Sequence, residues 1–306
     1  MSISSILLTN LFHNDLTLQT LQSYRQAINA DRRYSYELIV VDNASQYGVA
    51  DAIAESFPEI QLIRLPQNEG FSKGNNIGFE SSWGRFILFS NPDIEVTEKT
   101  LPTLIRRMDQ QPSVGACSPF LKLISTGQID WGAHRGFPTP WSAFTYFTGL
   151  EAAFRWSKRL SGIFGRYHLT HCDMSVEHEV DVIRGGFFLV RRDVFEKAGK
   201  WDESYFMFGE DVDLCYQIKK LGYKIIFCPQ AVALHYHGAT TGLKRNSQTT
   251  SPVEFEARQR AYHAFYDSMK LFYDKNYKTQ YGRIIRRLVF WGIDCKRYLG
   301  HRSRIV

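Results

Sequence analysis

Five short stretches of the sequence carry side chains that could do chemistry. Asp42 ends the apolar run Glu37-Leu38-Ile39-Val40-Val41, and Asp93 closes Asn91-Pro92-Asp93 after another apolar run. A carboxylate at a strand end can hold a divalent ion through oxygen, and Pro92 stiffens the turn that aims it. A plain type I turn would use the same residues. Gly209-Glu210-Asp211-Val212-Asp213 follows the aromatic run Tyr205-Phe206-Met207-Phe208 at a helix start. Acids in a first helical turn suit the helix dipole, and one of three could serve as a general base. His235 and His237 alternate, so a regular strand sets both on one face, as metal ligands or as a polar edge. The segment Asn68 to Gly78 (N-E-G-F-S-K-G-N-N-I-G) opens a helix. Glycine lets backbone approach a ligand, and a helix N-terminus favours phosphate. The segment is neither a Walker loop nor a G-x-G-x-x-G fingerprint.

These residues need elements to position them. The first 115 residues alternate strand and helix signals: strands over 3–9, 37–42, 61–65 and 85–90, helices over 16–30, 49–57, 73–83 and 100–110. Such alternation implies βαβ crossovers and a mostly parallel sheet. Ligands bind at the carboxyl ends of strands in such sheets, where Asp42 and Asp93 fall. The stretch 127–180, rich in Trp, Phe, Gly and His, gives no clear period and reads as a lid or binding segment. Order returns with a strand over 182–191, helices over 192–198 and 210–221, strands over 223–228 and 232–237, and a helix over 254–274.

Composition narrows the class. The chain has 306 residues, 44% hydrophobic and 22% charged, which is ordinary globular usage and excludes a disordered or collagen-like chain. A formal charge of +6 favours anionic partners such as nucleotides or phospholipid head groups. The cysteines 117, 172, 215, 228 and 295 contain no C-x-x-C pair, so neither a disulfide framework nor a structural zinc site is expected. The N-terminus has no secretory pattern, and no apolar run approaches the roughly 18 residues of a membrane span. The expected location is the cytoplasm.

The motifs in order are V-V-D-N-A-S, N-E-G-F-S-K-G-N-N-I-G, N-P-D, R-G-G-F-F-L-V-R-R-D-V-F, F-G-E-D-V-D-L and H-Y-H-G. As an ordered set over about 3–242, the sequence resembles the family 2 glycosyltransferases of GT-A fold. It is most similar to the bacterial rhamnosyltransferase-like enzymes of surface polysaccharide assembly. The resemblance implies a catalytic domain over 1–242, split near 115 into a nucleotide-binding half and an acceptor-binding half. A helical, basic extension occupies 243–306. It implies that Asp42 meets the donor base or ribose, and that Asn68, Gly70, Lys73, Asn75 and Gly78 belong to the segment packed against the nucleotide. Asp93 matches the metal-binding acid, with Asn91 in place of the first acid of a D-x-D motif. Gly185 and Gly186 leave room for the donor sugar. Asp211 matches the catalytic base, with Glu210 beside it, and His235 completes the metal site in preference to His237. The first strand of the family ends Thr-x-Asn, whereas here Asn10 follows Thr9 directly.

The implied reaction is an inverting, metal-dependent transfer of a sugar, rhamnose from dTDP-rhamnose, to a glycan or lipid-linked hydroxyl. The metal is Mn²⁺ or Mg²⁺, which suits oxygen ligands with one imidazole. A UDP- or GDP-hexose transferase and a non-catalytic glycan-binding relative are the alternatives. A nucleotidyltransferase would want a Gly-rich, basic loop after the first strand, where this chain has Asn10 to Asn14. No nucleic-acid-binding module appears. Trp201, Tyr205, Phe206 and Phe208 supply either an acceptor platform or core. The tail 278–306 interleaves basic residues with two apolar rows at helical spacing, Ile284-Leu288-Trp291 and Ile285-Val289-Ile293. That pattern fits a helix lying on the inner face of the cytoplasmic membrane, or one packed on the catalytic domain or on a second subunit of a homodimer.

Overall fold

The computed structural model describes residues 3–10, 14–45, 48–236 and 255–302. The first half runs β1 (Ile3–Asn10), α1 (Asn14–Ala30), β2 (Ser35–Asp42), α2 (Val49–Ser56), β3 (Gln61–Arg64), α3 (Gly70–Glu80), β4 (Phe86–Ser90), β5 (Ile94–Val96), α4 (Thr100–Gln110) and β6 (Val114–Leu123). A 3₁₀ turn, Trp131–Ala133, leads to α5 (Pro140–Phe147), α6 (Leu150–Phe154), α7 (Lys158–Phe164), β7 (His178–Val180), β8 (Phe187–Arg191), α8 (Arg192–Lys197), α9 (Glu210–Lys220) and β9 (Lys224–His235). The last helices are α10 (Phe255–Asn276) and α11 (Arg283–Arg302).

These strands join one sheet in the order β3-β2-β1-β4-β8-β6-β9-β5, with β7 also on β9. From β3 to β4 every pairing is parallel, while β8 runs antiparallel to both β4 and β6. The central strands are continuous apolar runs because both faces are covered. Alternate residues go to opposite layers. Ile6, Leu8, Val40 and Leu88 pack under α1, α2 and α4 through Leu21, Ile53 and Leu104. Leu7, Ile39 and Phe89 pack under α3, α8, α9 and α10 through Phe79, Phe195, Ile218 and Phe272.

Several expected boundaries move. The third helix starts at Gly70, not 73, because Gly70 takes φ +82° at the turn into it. The strand expected over 182–191 shortens to β8, and the two expected after 223 are one strand whose register with β6 slips between Pro119 and Phe120. The stretch without a clear period holds three short helices, each too short for a period to show. The boundary expected at 242 lies outside the described residues. The C-terminal helices are nonetheless tied to α9. Asp213 in α9 accepts from Lys275 Nζ and Asn276 Nδ2, each at 2.6 Å. In α11 the two rows part company. Val289 and Ile293 pack on α10 against Tyr262 and Tyr266, though Ile285 of the same row is 40% exposed, while Ile284, Leu288 and Trp291 are 76%, 61% and 69% exposed.

Candidate active site

The carboxyl ends of the parallel strands lie side by side, with Asn10 opposite Asp42 and Leu8 opposite Ser90. Thr9 sits in register with Val41. Asp42 is buried and its Oδ1 accepts the Ser45 N–H at 3.0 Å. Fully buried Asn43 donates to the Gly70 carbonyl at 3.0 Å and accepts the Glu69 N–H at 2.8 Å. Asn68 accepts the Gly70 N–H at 2.9 Å. These bonds hold the turn into α3. A Cβ on Gly70 would lie 2.7 Å from the Phe206 carbonyl oxygen, so that position requires glycine.

The rest of this segment has local work. Lys73 pairs with Glu69 one turn back, and buried Asn75 donates to the Phe71 carbonyl at 2.9 Å. Gly78 faces the sheet, where a Cβ would meet Val41 at 2.9 Å. Along this segment Asn68 and Lys73 are exposed, while Gly70, Asn75 and Gly78 are buried.

Asp93 follows β4 and precedes β5. The register of β5 with β9 sets Ile94 opposite His235, which brings His235 Nε2 to 3.5 Å from Asp93 Oδ2, both residues 1% exposed. His235 Nδ1 donates to Asp130 Oδ2 at 2.7 Å, and Arg184 donates to the same oxygen at 2.9 Å. Burial alone would lower the pKa of His235, but Asp93 first and Asp130 next outweigh it and raise it. Because Asp130 accepts the Nδ1 proton in a hydrogen bond, Nε2 is left to face Asp93. A carboxylate holding the far nitrogen is how a metal-bound imidazole is oriented, so Asp93 and His235 fit a divalent cation.

Across the Gly185–Gly186 link lies Asp211, the second residue of α9. Its Oδ2 accepts Arg135 at 2.8 Å and the Gly185 N–H at 3.3 Å, and its Oδ1 accepts the Val212 N–H at 2.8 Å. A carboxylate has about four acceptor sites, so one remains for an incoming hydroxyl. Burial pulls the Arg135 pKa down, yet the charge of Asp211 more than restores it and leaves it raised. Gly186 accepts the Asn91 N–H at 2.8 Å, and a Cβ there would lie 2.8 Å from Asn91 Nδ2. Gly185 is hemmed by Phe71 and Asp211. The glycine pair thus lets the turn carrying Asn91 close on the start of α9. Glu210 is buried, its Oε2 has no hydrogen-bond partner, and burial, then the charge of Asp211, push its pKa up to about 8.

Three participants escape sequence reading: Asp130, Arg135 and Arg184. Gly132 donates to Asp130 at 2.9 Å and accepts from Arg135 Nε at 3.0 Å. The turn 130–135 therefore links His235 at one end to Asp211 at the other. The only sequence signals are Arg184 beside the glycine pair and an acid before Trp131-Gly132. Of the two readings of the aromatic run, Trp201 and Tyr205, at 1% and 2% exposed, take the core one, whereas Phe206 is 44% exposed. His237 lies outside the described residues.

A parallel nucleotide-type half joined to a mixed half, with acids at the strand ends and a carboxylate-led helix facing them, is the GT-A glycosyltransferase architecture. The sequence pattern of glycosyl transferase family 2 matches residues 11–199, and the chain belongs to that family. It is 25% identical over 222 residues to an N-acetylglucosaminyl-diphospho-decaprenol L-rhamnosyltransferase of Mycobacterium tuberculosis, covering 67% of this chain and 68% of that one. It is 26% identical over 203 residues to a low-salt glycan biosynthesis hexosyltransferase of Haloferax volcanii, covering 65% and 58%. A solved mannosyltransferase from Pyrobaculum calidifontis, in complex with GDP-Man and Mn²⁺, superposes with a TM-score of 0.51 at 15% identity, over 98% of this chain and 82% of that one.

Proposed function

We propose that the chain transfers a sugar with inversion from a nucleotide-diphosphate donor to a hydroxyl of a glycan or lipid-linked acceptor in bacterial surface polysaccharide synthesis. The observation that carries this is that Gly185 touches Asp211 while Gly186 bonds Asn91, in the turn that leads to Asp93 and its neighbour His235. Asp42 and the Asn68–Gly70 turn hold the nucleoside end. Asp93 and His235 hold a divalent cation, Mn²⁺ or Mg²⁺, which when bound offsets charge on the diphosphate leaving group. Asp211 takes the proton of the attacking hydroxyl, and Arg135 holds that carboxylate in place through a 2.8 Å bond. The glycine pair does not itself leave a gap for the donor sugar, as the sequence resemblance implied; it lets Asn91, Phe71 and Asp211 close together around it. Rhamnose from a dTDP donor is the specific reading, supported by the likeness to the mycobacterial L-rhamnosyltransferase. The GDP-Man complex of the archaeal mannosyltransferase makes a GDP-hexose the second reading.

A lipid-linked acceptor would bring the enzyme to a membrane face. No helix among the described residues is long and apolar enough to cross one. Surface contact is supported instead by the exposed Ile284-Leu288-Trp291 row with Arg283 and Arg287 beside it. Lys296 Nζ lies 3.9 Å from the Phe147 ring centroid, so α11 touches α5, whose Trp141 and Phe144 are also exposed.

A donor screen across dTDP-, UDP- and GDP-sugars, read by product formation with Mn²⁺, tests the reading. Asp211→Asn should lower turnover by roughly 10²–10⁴ while nucleotide affinity holds. Near-normal turnover in that variant would reject Asp211 as the base.

A further inference from the structure

A second set of ligating side chains lies under β7, apart from Asp93 and Asp211. His134 follows the 3₁₀ turn, Cys172 sits between α7 and β7, and His178 opens β7. One ligand atom from each of the three lies within 4.8 Å of the others.

The hydrogen bonds fix the ring tautomers. His134 Nδ1 lies 3.0 Å from the His168 carbonyl oxygen, and His178 Nδ1 lies 2.7 Å from the Val176 carbonyl oxygen. A carbonyl oxygen only accepts, so both Nδ1 atoms carry protons and both Nε2 atoms present lone pairs. Those two Nε2 atoms are 2.6 Å apart. Two lone pairs repel at that distance unless a cation lies between them. A carbonyl on the far N–H is also how imidazole ligands of metals are held.

We propose that His134, His178 and Cys172 bind zinc, with a water or His171 as the fourth ligand. Two imidazoles and a thiolate suit zinc rather than the oxygen-seeking Mg²⁺ or Mn²⁺. His171 adjoins Cys172 in the chain, and its buried Nδ1 has no hydrogen-bond partner. Tetrahedral zinc sets two nitrogens about 3.3 Å apart, so the rings must part by less than ~1 Å from their present contact. Cysteine spacing gives no hint of this site, because two of its ligands are histidines and its thiol stands alone in sequence. The consequence reaches the candidate active site. Zinc would pin the end of the 130–135 turn, and Arg135, next to His134, holds Asp211. Its role is to position, since none of the three ligands touches Asp211 or Asp93 in the contacts described above.

The test uses the full chain, purified without chelator and without a histidine tag. Metal analysis should find stoichiometric zinc, unchanged in Asp93→Ala and lost in Cys172→Ser and in His178→Ala. Cobalt substitution should give tetrahedral ligand-field bands with a thiolate charge-transfer band that Cys172→Ser abolishes. His134 is fully buried and its variants risk misfolding, whereas Cys172 and His178 are partly exposed and keep the test decisive. A folded chain that holds no zinc, takes up no cobalt at micromolar excess and melts unchanged with zinc would overturn the site and leave a shared proton between the rings. Zinc retained in both variants would overturn the ligand set.

Discussion

Replacing Glu210 with glutamine should remove a pH-dependent cost that the wild-type chain carries. Glu210 is 7% exposed and its Oε2 lacks a hydrogen-bond partner, so its ionised form is poorly solvated. Burial and then the Asp211 charge push its pKa from 4.5 up to about 8, against a smaller opposing pull from Arg135 and Arg184. In the unfolded chain the carboxyl ionises near 4.5, while in the folded chain it stays protonated until about 8. Between those values the unfolded state binds fewer protons, so stability falls as pH rises. The contribution is fully present below 4.5 and lost as pH rises through about 8.

The slope is about 1.4 kcal/mol per pH unit well inside that window and flattens near its upper edge. From pH 6 to pH 8 the wild type should therefore lose about 2 kcal/mol that Glu210→Gln keeps, since glutamine has the shape but cannot ionise. For a chain of this size that is about 4 °C in Tm. The assay is thermal unfolding of both proteins at half-unit steps across this range. All other titrations are shared, so the difference between the two curves isolates Glu210. Parallel curves would refute a neutral Glu210 in the folded chain. The pH–rate profile gives a second readout: any limb that reflects Glu210 ionising near 8 should vanish in the variant.

Asp93→Ala should weaken nucleotide-diphosphate binding in calorimetry with Mn²⁺ but not with chelator; equal affinity in all arms would remove Asp93 from the cation site. Asp213→Ala should destabilise the chain by about 1–2 kcal/mol, because buried Asn276 loses its acceptor at the α9–α10 contact while exposed Lys275 keeps Asp202. Denaturant melts and faster proteolysis of α10 would report it, and unchanged stability would deny that anchor. The double variant Leu288→Ser/Trp291→Ser should lose co-sedimentation with anionic vesicles while keeping its melting temperature. Retained pelleting would refute the membrane face, and loss of a dimer in the variant would assign the row to a second subunit.

Much of the first half is legible in the sequence because its strands are buried on both faces and its helices are long enough to show a period. The apolar runs that lead into Asp42 and into Asn91-Pro92-Asp93 are enough to place both acids at strand ends. The helix start at Glu210 is equally plain. Roles within motifs are less so. Asp213 looks like a third candidate base beside Asp211, yet helical geometry turns it towards Lys275 and Asn276. Gly78 looks like part of a ligand loop, yet it lies where α3 approaches Val41. Sequence gives residue type and spacing, and which neighbour a side chain meets is set by packing from elsewhere in the chain.

The 130–135 turn is the extreme case of that limit. Asp130 matters because β9 delivers His235 to it, and Arg135 matters because α9 delivers Asp211. Both partners lie far along the chain, so no local window contains the relation. The turn also has no periodic signature, being one short 3₁₀ segment between a strand and a helix. What it does physically is couple two jobs. Asp130 sets the tautomer of His235, Arg135 sets the direction of the Asp211 carboxylate, and Gly132 bonds to both Asp130 and Arg135. A shift of the turn would move His235 and Asp211 together. That coupling explains why the stretch least readable as secondary structure holds the side chains that orient the site.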